Sequence, residues 1–157
     1  MGILANYPQN DEQVAPRTIR EVAIDQTYPW AYFDGASQGT PPRCGDGGII
    51  HLNDRDFYTS RAGLGEGTNN FAELMALKLL LLFALELNIR RIQIYGDSLV
   101  VINWAKRSQG CHIMRLIPIL EEVHRIINAF DHVMFSHVYR ELNRSVDLLS
   151  KEASRIQ

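Results

Sequence analysis

From Trp30 the pattern of apolar residues becomes regular, in short strand-like runs before Thr68 and in alternating helix-like and strand-like runs after it. Trp30 to Ser37 reads as a strand rich in aromatics. Gly39-Thr40-Pro41-Pro42 and Gly45-Asp46-Gly47-Gly48 read as a loop, because glycine and proline at this density mark unusual backbone. Ile49 to Leu52 is then a second strand, Asn53-Asp54 a turn, and Phe57 to Ala62 a third strand. Strands joined this closely form an antiparallel meander. The glycine-rich stretch Gly63 to Gly67 ends it.

Thr68-Asn69-Asn70 opens a long helix reaching to Asn88. Leu74, Leu77, Leu81, Ala84 and Leu85 fall close to i, i+3, i+4 spacing. Leu79, Leu80 and Leu82 leave little polar face, so this helix is covered on more than one side. Ile92 to Tyr95 is a fourth strand, Ser98 to Arg107 and Ile113 to Ala129 are helices, His132 to Tyr139 alternates as a fifth strand, and Asn143 to Ile156 is a final helix. A meander followed by alternating helix and strand predicts an α/β domain, a mixed sheet flanked by helices. Residues 1–27, polar and holding Pro8 and Pro16, read as a flexible tail or linker, which leaves the domain over residues 28–157.

A length of 157 residues suits one domain with one substantial core. The longest apolar run, Leu79 to Leu85, is far too short to span a bilayer. The first residues lack a basic region followed by an extended apolar run, so no signal peptide is read there. Cys44 and Cys111 lack CxxC spacing, which fits a reduced, intracellular protein, nuclear or cytoplasmic. A net charge of -2 argues against gripping phosphates through bulk positive charge. Local charge decides steering, however, and four carboxylates neutralised by metal would turn the balance positive. Composition neither demands nor excludes a nucleic acid.

Four acids occupy positions that present a carboxylate: Asp34 in the first strand, Glu73 in the first turns of the long helix, Asp97 at the end of Ile92-Gln93-Ile94-Tyr95-Gly96, and Asp147 near the start of the last helix. Each has a plain reading as well. Asp34-Gly35 has the composition of a hairpin turn. Asn70-Phe71-Ala72-Glu73 has the spacing of a capping box. Asp97-Ser98 fits a helix N-cap, and Asp147 suits the positive end of a helix dipole. Together, two acids at strand positions and two at helix starts can converge at one end of a sheet, where α/β proteins place their ligands. Carboxylates gathered this way repel unless a cation holds them. Oxygen-only ligation suits Mg²⁺ or Mn²⁺. Two such ions on a phosphate favour both attack by water and departure of the leaving oxygen, so the residues alone point to metal-assisted phosphodiester hydrolysis.

The local contexts then match a family in order. Tyr32-Phe33-Asp34-Gly35-Ala36-Ser37-Gln38-Gly39, Thr68-Asn69-Asn70-Phe71-Ala72-Glu73-Leu74, Ile94-Tyr95-Gly96-Asp97-Ser98 and Arg140-Glu141-Leu142-Asn143-Arg144-Ser145-Val146-Asp147-Leu148-Leu149-Ser150-Lys151-Glu152-Ala153 resemble the signature segments of type 1 ribonuclease H. More narrowly, they resemble the reverse-transcriptase-like ribonuclease H domains of plant retroelements. The resemblance implies a ribonuclease H-like fold, with three antiparallel strands and then parallel ones in a five-stranded mixed sheet. It implies an endonuclease that cuts the RNA strand of RNA–DNA hybrids by a two-metal mechanism, with two Mg²⁺ per site and Mn²⁺ able to substitute. By position, Asp34, Glu73, Asp97 and Asp147 become the catalytic, metal-binding acids, and Asp34 is shared between the ions. Asn69 and Asn70 match substrate contacts, where amides read the minor groove and the 2′-hydroxyl. Thr68, Ser37, Gln38 and Thr40 follow as backbone or sugar contacts. The implied partner is the hybrid, not a membrane, for a monomer that belongs to a larger reverse-transcriptase polyprotein. The alternative is a catalytically decayed, retroelement-derived module that binds hybrids without cutting them.

The sequence also departs from the family pattern. Thr40 stands where many relatives have Asn, and Val146 where Ala is usual. Asp46 stands at a site often apolar, where it either crowds the metal loop or faces water. His137 has the spacing of a loop histidine, ten positions before Asp147, yet sits in an alternating strand and reads as structural. The segment from Trp104 to Ile113 is short, so a separate basic protrusion is not expected.

Overall fold

The apolar run at Trp30 follows from what covers each side of it. In the computed structural model, which describes residues 24–143 and 151–155, this segment is β1 (Trp30–Gln38), and most of it is buried. Successive side chains of a strand point to opposite faces. Ala31 and Phe33 accordingly pack with the leucines of the long helix, while Trp30 and Tyr32 pack with Ile49, Tyr95 and Val138. A strand apolar on both sides belongs in the middle of a sheet, and β1 is the middle strand. β2 (Arg43–His51), β3 (Phe57–Glu66), β4 (Arg91–Gly96) and β5 (His132–His137) complete the order β3-β2-β1-β4-β5. The first three strands are antiparallel, and β4 and β5 add in parallel. This is the mixed five-stranded sheet expected from the sequence.

The expected glycine loop is a correction. Gly45-Asp46-Gly47-Gly48 lies inside β2, buried throughout, rather than before it. Its glycines thin the sheet instead of turning the chain. A Cβ on Gly48 would come within 3.0 Å of Ser60 Oγ and 3.1 Å of Leu80 Cδ1, so the long helix settles close against this strand. β3 likewise runs on through Gly63 and Gly65 to Glu66, with a register shift opposite Cys44 and Gly45 that absorbs an extra residue.

α1 (Asn69–Glu86) lies over β1 and β2 and against α3. Leu74, Leu77, Leu80 and Leu81 are all buried, so the near absence of a polar face in the sequence reflects cover from several sides. α2 (Leu99–Ala105) is short. The helix expected from Ile113 begins instead as a 3₁₀ turn (Met114–Leu116) and becomes α3 (Ile117–Ile127), with a proline in its first positions where the missing N–H is not needed. A second 3₁₀ turn (Arg140–Asn143) follows β5. Of the expected final helix, residues 151–154 are helical, while residues 144–150 lie outside the described residues. Those four helical residues are tied to the sheet by an Arg61–Glu152 ion pair and by Ser154 Oγ, 3.4 Å from Gln38 Oε1. Residues 1–23 of the expected tail also lie outside the described residues. Residues 24–29 rest on the sheet, where Gln93 Nε2 donates to the carbonyls of Asp25 (2.6 Å) and Tyr28 (3.2 Å). No helix among the described residues is long and apolar enough to cross a membrane.

Candidate active site

β1 and β4 run parallel, and their last register pair is Phe33 with Gly96. The next residue of each strand is an acid, Asp34 and Asp97. Parallel pairing therefore sets the two carboxylates side by side where β4 ends against the middle of β1. Glu73 reaches them from the first turns of α1. Its approach needs Gly35, because a Cβ there would sit 2.1 Å from the backbone carbon of Ala72 and 2.4 Å from the backbone nitrogen of Glu73. Asp34-Gly35 is thus a strand interior beneath a helix, not a hairpin turn.

The plain alternatives resolve individually. α1 is capped by Thr68, whose Oγ1 accepts from the Phe71 N–H at 3.2 Å. Glu73 is released from the capping-box role and accepts from the Gly35 N–H at 2.5 Å. α2 is capped by Ser98, which accepts from the Val101 N–H at 3.3 Å, so Asp97 is not the cap. Asp34, Glu73 and Asp97 each offer an oxygen within 4.8 Å of the others. Asp147 lies outside the described residues.

Three carboxylates at this range are electrostatically costly. Burial raises the Glu73 carboxyl well above the usual carboxylate range. The Asp97 charge adds to the rise, against the pull of the Gly35 N–H, the Asp34 carboxyl and Arg140. Asp97 is only 3% exposed at its side chain, yet neither of its oxygens has a hydrogen-bond partner among the described residues. A buried ionised oxygen without a donor is unfavourable unless another ligand fills its coordination. The donor set is all oxygen, the kind that hard divalent cations take.

The acids open into a cleft of about 300 Å³, also lined by Ser37, Gln38, Asn69, Asn70, Arg140 and Lys151. Asn69 Oδ1 accepts from the Ser37 N–H at 3.0 Å, and Ser37 Oγ donates to the Gly67 carbonyl at 2.7 Å, so these residues brace the mouth. Thr68 and Thr40 are not among its walls. Thr68 caps α1, and Thr40 is exposed in the turn between β1 and β2, at a cis peptide with Pro41. His137 ends β5, half-buried, with Nε2 3.2 Å from the Asp97 carbonyl oxygen. Asp46 does not face water. It is buried in β2 opposite Gly35, because the supposed loop is a strand. Sequence reasoning missed the cationic side of the cleft, Arg140 and Lys151. Arginines and lysines recur along the second half at no period that would single these two out, and only the fold selects them.

A profile of the reverse transcriptase-like family matches residues 32–153. Ribonuclease HI of Halobacterium salinarum is 30% identical over 124 residues, which are 78% of this chain and 62% of that protein. The chain thus spans less than two thirds of the length of that relative. Among solved structures, RNase H1 of H. salinarum NRC-1 superposes with a TM-score of 0.76 at 29% identity, covering 80% of this chain and 96% of that one. LC11-RNase H1, isolated from compost and solved in complex with an RNA/DNA hybrid, superposes with a TM-score of 0.74 at 24% identity, over 81% of this chain and 96% of that one. The second likeness is one of fold.

Proposed function

The chain belongs to the reverse transcriptase-like family and carries a ribonuclease H-like domain, and from that premise we propose that it is a metal-dependent endonuclease hydrolysing the RNA strand of RNA–DNA hybrids. The observation that carries this reading is the meeting of Asp34, Glu73 and Asp97 within 4.8 Å, with the Asp97 oxygens buried and unpartnered. These three acids, joined by Asp147 from the last segment, would hold two Mg²⁺, or Mn²⁺ in their place. Bound ions of this kind supply activation of the attacking water and neutralise charge on the phosphate.

The chain's own residues supply placement. The Gly35 N–H holds one Glu73 oxygen, and a side-chain hydrogen bond ties Glu73 to Asp34. Asn69 and Asn70 stand at the mouth of the cleft, where amides can read the shallow minor groove and its 2′-hydroxyls. Ser37 and Gln38 extend that surface, and Thr68 at the α1 cap and Thr40 in the β1–β2 turn are the further substrate contacts of this reading. The domain is taken as residues 28–157, derived from a retroelement polyprotein that also carries a reverse transcriptase, and it acts as a monomer.

The test is cleavage of a labelled RNA–DNA hybrid with and without Mg²⁺, beside single-stranded RNA and duplex RNA. Mg²⁺-dependent cutting confined to the RNA of the hybrid is expected. Retained hybrid binding without cleavage would replace this reading with that of a binding module.

A further inference from the structure

One cation in the cleft is placed beside the acids without being bonded to Asp97. Arg140 Nε lies 3.8 Å from Asp97 Oδ2, beyond hydrogen-bond reach, and the contact between them is Coulombic. The two partners live in different surroundings: the Asp97 side chain is 3% exposed and that of Arg140 70%. The backbone around Arg140 is nevertheless anchored. The Val138 N–H donates to the Gly96 carbonyl at 2.9 Å, and His137 Nε2 lies 3.2 Å from the Asp97 carbonyl oxygen. Arg140 therefore projects a long, exposed side chain from a base fixed to the segment that carries Asp97.

Resting on the metal-dependent reading above, we propose that Arg140 is an exchange cation: it balances the Asp97 charge while no divalent ion is bound, and turns to a phosphate of the nucleic acid once an ion takes that carboxylate. A guanidinium suits both duties, because its charge does not titrate and its planar fork matches phosphate oxygens. It lines the same cleft as Asn69 and Asn70, so a phosphate held there is within the sweep of its side chain. Before exchange the guanidinium opposes an incoming dication. After exchange it adds a contact to the polyanion.

The consequence is a pair of effects of opposite sign, which a merely structural arginine would not produce. Mn²⁺ is titrated into the purified chain without nucleic acid, with free Mn²⁺ followed by electron paramagnetic resonance. R140Q is expected to bind the ion about two- to fivefold more tightly than the parent, the scale of an exposed charge pair. R140K, which keeps the charge, stays near the parent. On the RNA–DNA hybrid, R140Q is expected to raise KM about tenfold, the scale of one charged hydrogen bond. The slope of log affinity against log salt becomes shallower by about one. R140Q binding Mn²⁺ no more tightly than the parent would overturn the exchange. A parent that cleaves no hybrid, with the Mn²⁺ difference intact, would instead overturn the proposed substrate and leave the exchange at the metal standing.

Discussion

Replacing Asp46 by asparagine should stabilise this protein above neutral pH, and the reason lies in where β2 puts that carboxyl. Asp46 is 2% exposed, and its Oδ1 has no hydrogen-bond partner among the described residues. Burial pushes its pKa from 3.8 up to about 6, against hydrogen bonds from the backbone of Ala62 and of Asp46 itself. A carboxyl raised in the folded state binds more protons there than in the unfolded chain, so its contribution is fully present below 3.8 and is lost as pH rises through about 6. At about 1.4 kcal/mol per pH unit, that gap corresponds to about 3 kcal/mol. Asp46→Asn cannot ionise and keeps an acceptor for the Ala62 backbone. It should be about 2–3 kcal/mol more stable than the parent near pH 8, and the difference should close toward pH 4.

The parent's own pH profile would hide this effect. His51, buried and stacked on Trp30 at 5.0 Å, has its pKa lowered from 6.5 to about 4 by burial. Its contribution is present above 6.5 and is lost as pH falls toward about 4, by a similar about 3 kcal/mol in the opposite direction. The quantity to measure is therefore the difference between variant and parent, from urea unfolding followed by circular dichroism across that range. Titration of Glu73 and His51, common to both proteins, cancels in the subtraction. A difference that stays constant with pH, or a variant less stable throughout, would show that the Asp46 carboxyl is not held against its charge.

Other outcomes test the remaining parts of the structure. Asp34→Asn should abolish Mg²⁺-dependent hybrid cleavage with an unchanged circular dichroism spectrum, and full activity would remove Asp34 from the site. Gly35→Ala must push backbone rather than a flexible side chain, since Ala72 and Glu73 lie under 3 Å away. A loss of about 3 kcal/mol, read from thermal melts, is expected with weakened Mn²⁺ binding. Leu77→Ala, in the fully buried core, should cost about 2–5 kcal/mol by urea midpoint. Because Glu73 holds its proton above the usual carboxylate range, metal binding near neutral pH should release protons and tighten as pH rises. Calorimetry in two buffers of different ionisation enthalpy reads that release directly.

The central architecture was legible because its signals are local. β1 announces itself by its aromatics, β4 by a short apolar run and β5 by alternation, and each acid stands in a short context of its own. Asp34, Glu73 and Asp97 were readable as a group because acids in a strand, just after a strand and at the start of a helix can meet at one place on an α/β sheet. What stayed hidden depends on contacts across the fold. Gly45, Gly47 and Gly48 read as a loop because glycine carries the same signal whether it turns a chain or lets a helix approach. With Thr68 rather than Asn70 as the cap, Glu73 has no capping-box role and accepts from the Gly35 N–H instead. Arg140 and Lys151 became visible only when the cleft between β1, β4 and the last segment was assembled.

The pairing of Phe33 with Gly96 has a consequence for how activity can be lost. Because Asp34 and Asp97 are each one step beyond that pair, the alignment of β1 on β4 works as a ruler for the carboxylates. A slip of one residue would displace one acid along the strand by about 3.3 Å and turn its side chain to the opposite face. No intermediate alignment leaves a half-formed site. Assembly of the acids is thereby joined to closure of the sheet itself, and chains caught before β1 and β4 register should bind no divalent ion at all. Metal uptake during refolding would then report completion of the fold rather than the formation of α1.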